Sequence, residues 1–451
     1  MAQLYANYKR RQKGGRGKKR SFKDYLMDIG LLKHREPLPA RDTGRHMVAR
    51  GVHLVSVPKR VVSGPVRVMV LLVDFPDKPA YRPKREFEDM LFSQASYLTG
   101  SMRDYYKQVS NGKVNVTGSV HGWYRMPKPY SYYVGNDSGC GIYPTNAQTL
   151  TEHALKAAQK KRVPFPAGLD KFGNGSITAL VIVHAGTGAE GFTDRQQQLK
   201  HIWSHKGDMN GPMLVKSGLA ATNYLTVPED CRMGVCAHEL GHLAFQWDDF
   251  YDPNYDKDGS EWDGAGNWDL MAGGSWNNGG NTPAHPAGLH KLQHNWVKLL
   301  DVDSTTRGIK LPPYYAGSPA VLRVRSAAFS ATQCLVIENR ARNGFDAQLP
   351  GSGVLVWRVD TDQEQMSAEK PAMLLIQADG KHDLEKVEPL GQPGNVGDVG
   401  DPFPGPLGRN TSLGDTGKIS TSFPGKRSRI QLKNIKVDRT TRVATLDIII
   451  K

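Results

Sequence analysis

Apolar runs alternate with helix-patterned segments over the first two thirds of the chain. The segments VRVMVLLVDF and SITALVIVHAG are apolar at both odd and even positions, which is typical of strands covered on both faces. Between them, SMRDYYKQVS and NAQTLTEHALKAAQKK carry apolar residues at helical spacing. This alternation predicts an α/β layered domain with a parallel or mixed sheet.

The pattern changes after about residue 305. Short strand-like segments such as AVLRVRS, GVLVWRVD and VATLDIII are separated there by turns rich in Gly and Pro. Such a series predicts an all-β, sandwich-like domain. We therefore predict three parts: an N-terminal arm over 1–65, an α/β domain over 66–305 and a β-rich domain over 306–451.

Composition and charge narrow the class of protein. Of the 451 residues, 39% are hydrophobic and 23% are charged, as in a folded globular protein. No apolar run reaches the length of about 18 residues that a membrane-spanning helix needs, so we expect no such helix. Four cysteines are too few to indicate a disulfide scaffold, and their pairing stays open.

The net charge of +15 is concentrated at the N-terminus. Residues 1–20 contain eight Lys or Arg and no acidic residue, which is typical of a solvated arm. An arm of this kind can attach to anionic surfaces, but nothing downstream resembles a nucleic-acid module, so we do not expect nucleic-acid binding. The arm also lacks the apolar core of a signal peptide.

The segment CAHELGHLAF contains candidate metal ligands and a candidate general base. His238 and His242 are four residues apart, so on a helix both imidazoles lie on one face and can bind one metal ion. Glu239 is then placed to act as a general base on a water molecule rather than as a ligand. The flanking residues are apolar, which predicts a buried helix whose histidines need a partner.

Two histidines do not complete a catalytic zinc site. In the metzincin class of zinc peptidases, a Gly follows the second His by three residues, and the third ligand follows that Gly by three. Here those positions are Phe245 and Asp248, so Asp248 is the predicted third ligand. Three other carboxylates remain alternatives: Asp249, Asp252 and Glu261.

Two features follow the helix. Met271 lies in the Gly-rich segment WDLMAGGSW, where a Met-turn would form an apolar floor under the metal, although an ordinary buried Met fits as well. The segment DPNYDKDG spaces oxygen-bearing side chains as the start of a calcium loop does, but a solvated acidic loop is the alternative. The candidate calcium ligands are Asp252, Asn254, Asp256 and Asp258.

The chain resembles the immune inhibitor A family of secreted bacterial zinc metallopeptidases. Beyond the zinc motif, the resemblance rests on VMVLLVDFPDKPA, SMRDYYKQVSNGKVNVTG, NWDLMAGGSWN and VIENRARNGFDAQLPGSGVLVWRVD, and it covers roughly residues 66–450. It implies a metzincin-like catalytic domain with an active-site helix, protein or peptide substrates and an extracellular location. It also assigns the third-ligand position to Asp248.

Two functions from different classes follow. The first is a zinc endopeptidase in which His238, His242 and Asp248 bind the zinc ion and Glu239 is the general base. Calcium is a second candidate ion. The second is an inactive, metal-stabilised binding module attached to anionic surfaces through its basic arm. Residues 1–65 are also a candidate prosegment.

Overall fold

The computed structural model describes seven stretches of the chain. They are residues 60–135, 137–192, 195–252, 260–317, 319–363, 371–389 and 394–451. These stretches form two compact units, neither of which is continuous in sequence. The first unit combines residues 67–88 with 118–231, and the second combines 60–66, 89–117 and 232–451. Of the predicted N-terminal arm, residues 1–59 lie outside the described residues.

A five-stranded mixed sheet forms the centre of the first unit. Its order is β2–β1–β3–β5–β4, in which β1, β3 and β5 are parallel and β4 is antiparallel to β5. The strands are β1 (Gly64–Asp74), β2 (Val114–Arg125), β3 (Leu180–His184), β4 (His205–Lys216) and β5 (Leu219–Pro228). The two apolar runs of the sequence are β1 and β3, so the predicted mixed α/β sheet is confirmed.

Two of the described helices begin at a residue whose side chain caps the helix. The described helices are α1 (Lys84–Phe92), α2 (Met102–Val109), α3 (Tyr130–Val134), α4 (Ala147–Lys160), α5 (Arg195–Gln198), α6 (Met233–Phe245) and α7 (Gly288–Gln293). Asn146 caps α4 by accepting a hydrogen bond from the Thr149 backbone at 3.2 Å. Ser101 and Asp104 form a capping box at the start of α2. In the first unit, apolar residues of α4 share one core with β1 and β3.

The second unit joins helices α2, α6 and α7 to three small sheets. A five-stranded sheet has the order β12–β11–β10–β9–β7, a three-stranded sheet has the order β14–β15–β8, and β13 pairs with β6. The strands are β6 (Ser260–Glu261), β7 (Lys298–Val302), β8 (Thr306–Leu311), β9 (Ala320–Val324), β10 (Gln333–Arg340), β11 (Gly353–Asp360), β12 (Met373–Leu375), β13 (Glu388–Pro389), β14 (Ile430–Val437) and β15 (Ala444–Ile450).

The two larger sheets of this unit enclose a common apolar core. Leu322, Ile337 and Val356 contribute from one sheet, and Leu432 and Leu446 contribute from the other. These strands follow the short apolar segments of the sequence. They belong to the same compact unit as α6, so a separate all-β domain over 306–451 stays a prediction, as does the limit at residue 305. In the described ranges, no helix combines the length and apolar character needed to cross a bilayer.

Candidate metal centre

Helix α6 carries the two histidines of the zinc motif on a buried scaffold. Most of its residues are buried, and the side chains of His238 and His242 are each 12% exposed. The two Nε2 atoms are 3.2 Å apart, as the spacing of four residues predicts. One turn of a buried helix therefore holds both imidazoles rigidly side by side.

A carboxylate from the segment after the helix completes the group. Asp249 Oδ1 lies 3.1 Å from His238 Nε2 and 3.2 Å from His242 Nε2. These three side chains form a group whose ligand atoms lie within 4.8 Å of one another. Three potential ligand atoms thus converge on one point.

The predicted third ligand, Asp248, is not part of this group. The sequence-based count assumed that the left-handed residue ending the helix stands at Phe245. In the structure Phe245 is the last helical residue, and Gln246 takes the left-handed conformation with φ 59° and ψ 29°. Counting three residues from Gln246 leads to Asp249, which the sequence analysis kept as an alternative.

Packing explains the shift of one position. The Phe245 side chain is fully buried, and its ring stacks on Tyr106 and Trp247 with centroid distances of 4.8 and 5.0 Å. The backbone cost of a left-handed residue, about 1–2 kcal/mol, is similar at Phe245 and Gln246, but a left-handed Phe245 would take its ring out of this aromatic cluster. The helix therefore continues through Phe245, and its end is closed by a hydrogen bond from Trp247 N to Gly241 O at 3.2 Å.

The hydrogen bonds of the two imidazoles fix which nitrogen carries the proton. His238 Nδ1 lies 2.9 Å from Leu270 O, and His242 Nδ1 lies 2.7 Å from Trp247 O. A carbonyl only accepts, so each Nδ1 donates and each neutral ring presents a lone pair at Nε2. When both rings are neutral, the two Nε2 atoms and Asp249 Oδ1 therefore direct three lone pairs at one point, which is the state that can bind a metal ion.

This arrangement fits a metal ion. Ligand atoms of a tetrahedral zinc with bonds of about 2.0–2.1 Å lie about 3.3 Å apart. The three distances measured here, 3.1, 3.2 and 3.2 Å, are close to that value. Two neutral imidazoles and one carboxylate are also a donor set that zinc accepts in catalytic sites.

The electrostatics of the group also favour a cation at its centre. Burial lowers the pKa of His238, but the hydrogen bond and charge of Asp249 outweigh burial and raise it to about 9. Burial raises the pKa of Asp249, yet the two histidines hold it well below its usual range. In the metal-free protein, a proton is therefore retained where a metal would otherwise place positive charge.

Glu239 occupies the position expected of a general base. Its side chain is next to His238 on α6, and the residue is 7% exposed. Its Oε2 atom is buried and has no hydrogen-bond partner in the described part of the chain. A buried carboxylate oxygen without a partner is costly, which marks it as a group kept for a ligand, a water molecule or a reaction.

Met271 lies directly beneath the site helix. It is fully buried, and a Cβ atom added at Gly241 would come within 2.7 Å of its sulfur. Gly241 stands between the two histidines, so only glycine allows the Met271 side chain to approach the helix this closely. The Met271 carbonyl also accepts a hydrogen bond at 2.8 Å from the backbone of Phe250, which adjoins Asp249.

The remaining candidates are placed only in part. Asp252 is buried, and its backbone N–H donates to Trp262 O at 3.1 Å, but it is not in the ligand group. The other candidate calcium ligands, Asn254, Asp256 and Asp258, and the side chain of the alternative Glu261 lie outside the described residues. The calcium loop therefore stays a prediction.

Two further histidines of the sequence, His201 and His205, have structural partners in the first unit. His205 is buried between Trp203 O and the Tyr224 hydroxyl, at 2.7 and 3.2 Å. His201 Nδ1 lies 3.1 Å from a backbone carbonyl, and its ring stacks on Phe192. Both side chains therefore have hydrogen-bond and packing partners within the first unit.

The sequence reasoning missed the groups that orient the ligands. The backbone carbonyls of Leu270 and Trp247 accept hydrogen bonds from the two histidines. Every residue has a backbone carbonyl, so the amino-acid sequence does not reveal such a contact. Asp269 and His290 form a fully buried pair with a separation of 2.9 Å beside the Met271 turn. In the sequence, the only signal of this pair was the acidic residue Asp269 next to the turn that contains Met271.

A His-Glu-x-x-His helix whose glutamate is buried and whose two histidines face a third carboxylate defines a metallopeptidase-type site. Comparison with known families agrees with this class. The profile described as immune inhibitor A peptidase M6, catalytic domain, matches residues 62–301, which is just over half of the chain. The chain belongs to the peptidase M6 family.

Two relatives show how far the similarity extends. The pre-pro-metalloprotease PrtV of Vibrio cholerae serotype O1 is 32% identical over 259 residues, covering 47% of this chain and 27% of the relative. Immune inhibitor A of Bacillus thuringiensis subsp. alesti is 28% identical over 331 residues, covering 59% of this chain and 47% of that relative. The chain thus spans less than half the length of either protein.

Proposed function

We propose that the protein is a zinc-dependent endopeptidase that hydrolyses peptide bonds of protein or peptide substrates. The observation that carries the proposal is the triangle formed by the Nε2 atoms of His238 and His242 and Asp249 Oδ1, whose three sides measure 3.1, 3.2 and 3.2 Å. Membership of the peptidase M6 family and the word metalloprotease in the name of one relative support it.

In this proposal each residue has one task. His238 and His242 bind zinc through Nε2, and Asp249 binds it through Oδ1, whereas Asp248 does not. The zinc ion, when bound, supplies Lewis acidity, which polarises a peptide carbonyl and makes a water molecule more acidic. The Glu239 carboxylate takes the proton from the attacking water and delivers it to the leaving amine.

The surroundings of the helix support these tasks. Proton donation to the carbonyls of Leu270 and Trp247 keeps the Nε2 lone pairs of both imidazoles directed at the ion. Burial keeps bulk water from Glu239 Oε2, so the carboxylate is not solvated by competing waters. We also propose an extracellular location, which the word pre-pro in the name of a relative supports.

The experiment is a comparison of Glu239→Gln with the unaltered protein on denatured casein. Loss of the general base should lower the rate by about a hundredfold to ten-thousandfold while zinc remains bound, because Glu239 is not a ligand. Glu86→Gln is the matched control, since Glu86 is a half-exposed partner of Arg82 in a surface ion pair.

Metal removal separates this function from the alternative one. A chelator should stop casein hydrolysis by the unaltered protein, and added zinc should restore it. The metal-stabilised binding module predicts no hydrolysis before or after the chelator. Glu239→Gln protein that cleaves casein at the wild-type rate would refute the proposed mechanism.

A further inference from the structure

The turn beneath the site helix is held by a buried acid. Leu270 O in this turn accepts the proton of His238 Nδ1 at 2.9 Å. The adjacent Asp269 is fully buried, and its Oδ1 accepts from the backbone N–H groups of Met271 and Ala287 at 3.2 and 3.1 Å. Asp269 thereby fixes the backbone on either side of the carbonyl that orients His238.

His290, the hydrogen-bond partner of Asp269, contacts the segment that orients His242 and bears Asp249. His290 Nε2 lies 2.9 Å from Asp269 Oδ2. The His290 ring packs against Trp247 and Phe250, with centroid distances of 5.0 and 4.8 Å. Trp247 supplies the carbonyl that binds His242, and both aromatic residues flank the segment that bears Asp249. One buried, hydrogen-bonded pair therefore contacts both backbone segments that determine where the three proposed ligand atoms point.

A second buried pair holds the same turn from the β-rich part of the chain. Arg340, at the end of β10, donates to Trp268 O at 3.1 Å and to His285 O at 3.2 Å. It also binds Asp346 through two hydrogen bonds of 2.7 and 2.6 Å. Arg340 and Asp346 lie beyond residues 62–301, the part that matches the family profile.

Stability alone does not account for these four buried polar side chains. A buried ion pair is often replaceable by apolar residues of similar size at little cost in stability, since desolvation offsets much of the attraction. An apolar side chain cannot, however, fix the direction of a backbone group, whereas an arginine can donate to a carbonyl and a carboxylate can accept from an N–H group. All four side chains are at most 4% exposed, so none of them is placed to touch a substrate.

We infer that the pairs Asp269–His290 and Arg340–Asp346 are positioning pairs of the metal centre, through which the β-rich segment sets the orientation of the zinc ligands. The inference rests on the proposed zinc site. Residues that hold the ligands of a metal in their orientation commonly change metal affinity by about tenfold to a hundredfold when altered. The pairs act through Leu270, Trp247 and the segment around Asp249.

The test measures zinc affinity of the full chain by competition with a coloured chelator, alongside the thermal unfolding midpoint of the zinc-free protein. Asp269→Leu keeps about the size of the side chain but removes both acceptor oxygens. Arg340→Lys keeps the positive charge but removes the set of directed hydrogen bonds that the guanidinium donates. We expect each to weaken zinc binding by about tenfold to a hundredfold. Val356→Ala is the control, since Val356 is fully buried in the β-sheet core and should lower the midpoint without changing zinc affinity.

A double variant protects the test against misfolding. Arg340→Met with Asp346→Leu removes both charges of the pair together. Glu338, which lies 3.5 Å from Arg340, keeps the hydrogen bonds that it accepts from Trp357 and Tyr314. We expect this protein to fold and to show the same loss of zinc affinity. Wild-type zinc affinity in the folded variants, whatever their unfolding midpoints, would overturn the inference. Failure of the unaltered protein to bind zinc would instead refute the proposed function, before any variant is compared.

Discussion

The assignment of the third ligand makes a quantitative prediction about two neighbouring aspartates. The structure directs Asp249 Oδ1 at both histidine nitrogens, at 3.1 and 3.2 Å, and leaves Asp248 outside the group. Protein sites bind zinc with about 10–16 kcal/mol, so one of three ligands contributes on the order of 4 kcal/mol if they share equally. Asp249→Ala should therefore weaken zinc binding by roughly a thousandfold, and Asp248→Ala by less than about threefold.

The assay is a zinc titration in competition with a chelator of known affinity at pH 7.5. Asp248→Ala is the matched control, because it removes the same side chain one position earlier. Circular dichroism of each variant verifies that the helix content is unchanged. A large loss in Asp248→Ala with wild-type binding in Asp249→Ala would refute the reasoning, since it would restore the position first inferred from sequence spacing.

The remaining predictions concern packing, pH and metal-linked stability. Gly241→Ala should lower the free energy of unfolding by about 1–3 kcal/mol in urea denaturation, because the added Cβ would meet Met271 and Trp247 at 2.7 and 3.1 Å. This loss should outweigh the greater helix propensity of Ala, and a stabilised variant would contradict the prediction. Burial lowers the pKa of His205 from 6.5 to about 4, so the unfolded chain takes up the proton at a higher pH than the folded protein does. The free energy of unfolding should therefore fall by about 3 kcal/mol as the pH drops from about 6.5 to 4. An equally steep fall in a His205→Gln variant would exclude this cause. Zinc at a thousand times its dissociation constant should raise the free energy of unfolding by about 4 kcal/mol, and an unfolding midpoint independent of zinc would argue against binding to the folded state.

The strands and the histidine pair could be predicted because local pattern determines them. An apolar run covered on both faces is a buried strand in any context, and β1 and β3 are such strands. His238 and His242 converge because four residues make about one helical turn. Neither prediction depends on what packs against the element from elsewhere in the chain.

The third ligand could not be determined from spacing because it depends on where the helix ends. Phe245 stays helical since its ring is stacked with Tyr106, which lies more than a hundred residues earlier in the chain. With that contact, the left-handed residue is Gln246 and the carboxylate that faces the two histidines is Asp249. A count along the sequence contains no information about such a partner.

The supporting network was hidden for the same reason. Arg340 binds the carbonyl of Trp268, and the two residues are 72 positions apart. In the sequence, Arg340 is one of many basic residues in a protein of net charge +15. Only burial distinguishes it, because a fully buried guanidinium must have directed partners.

Zinc-edge X-ray absorption on the purified protein tests the central claim most directly. The account predicts one zinc per chain, bound by two imidazole nitrogens and one carboxylate oxygen at about 2.0–2.2 Å, with a further light atom from solvent. It predicts no sulfur ligand, although Cys236 precedes His238 by only two residues. Absence of zinc from folded protein, or a sulfur neighbour at about 2.3 Å, would contradict it.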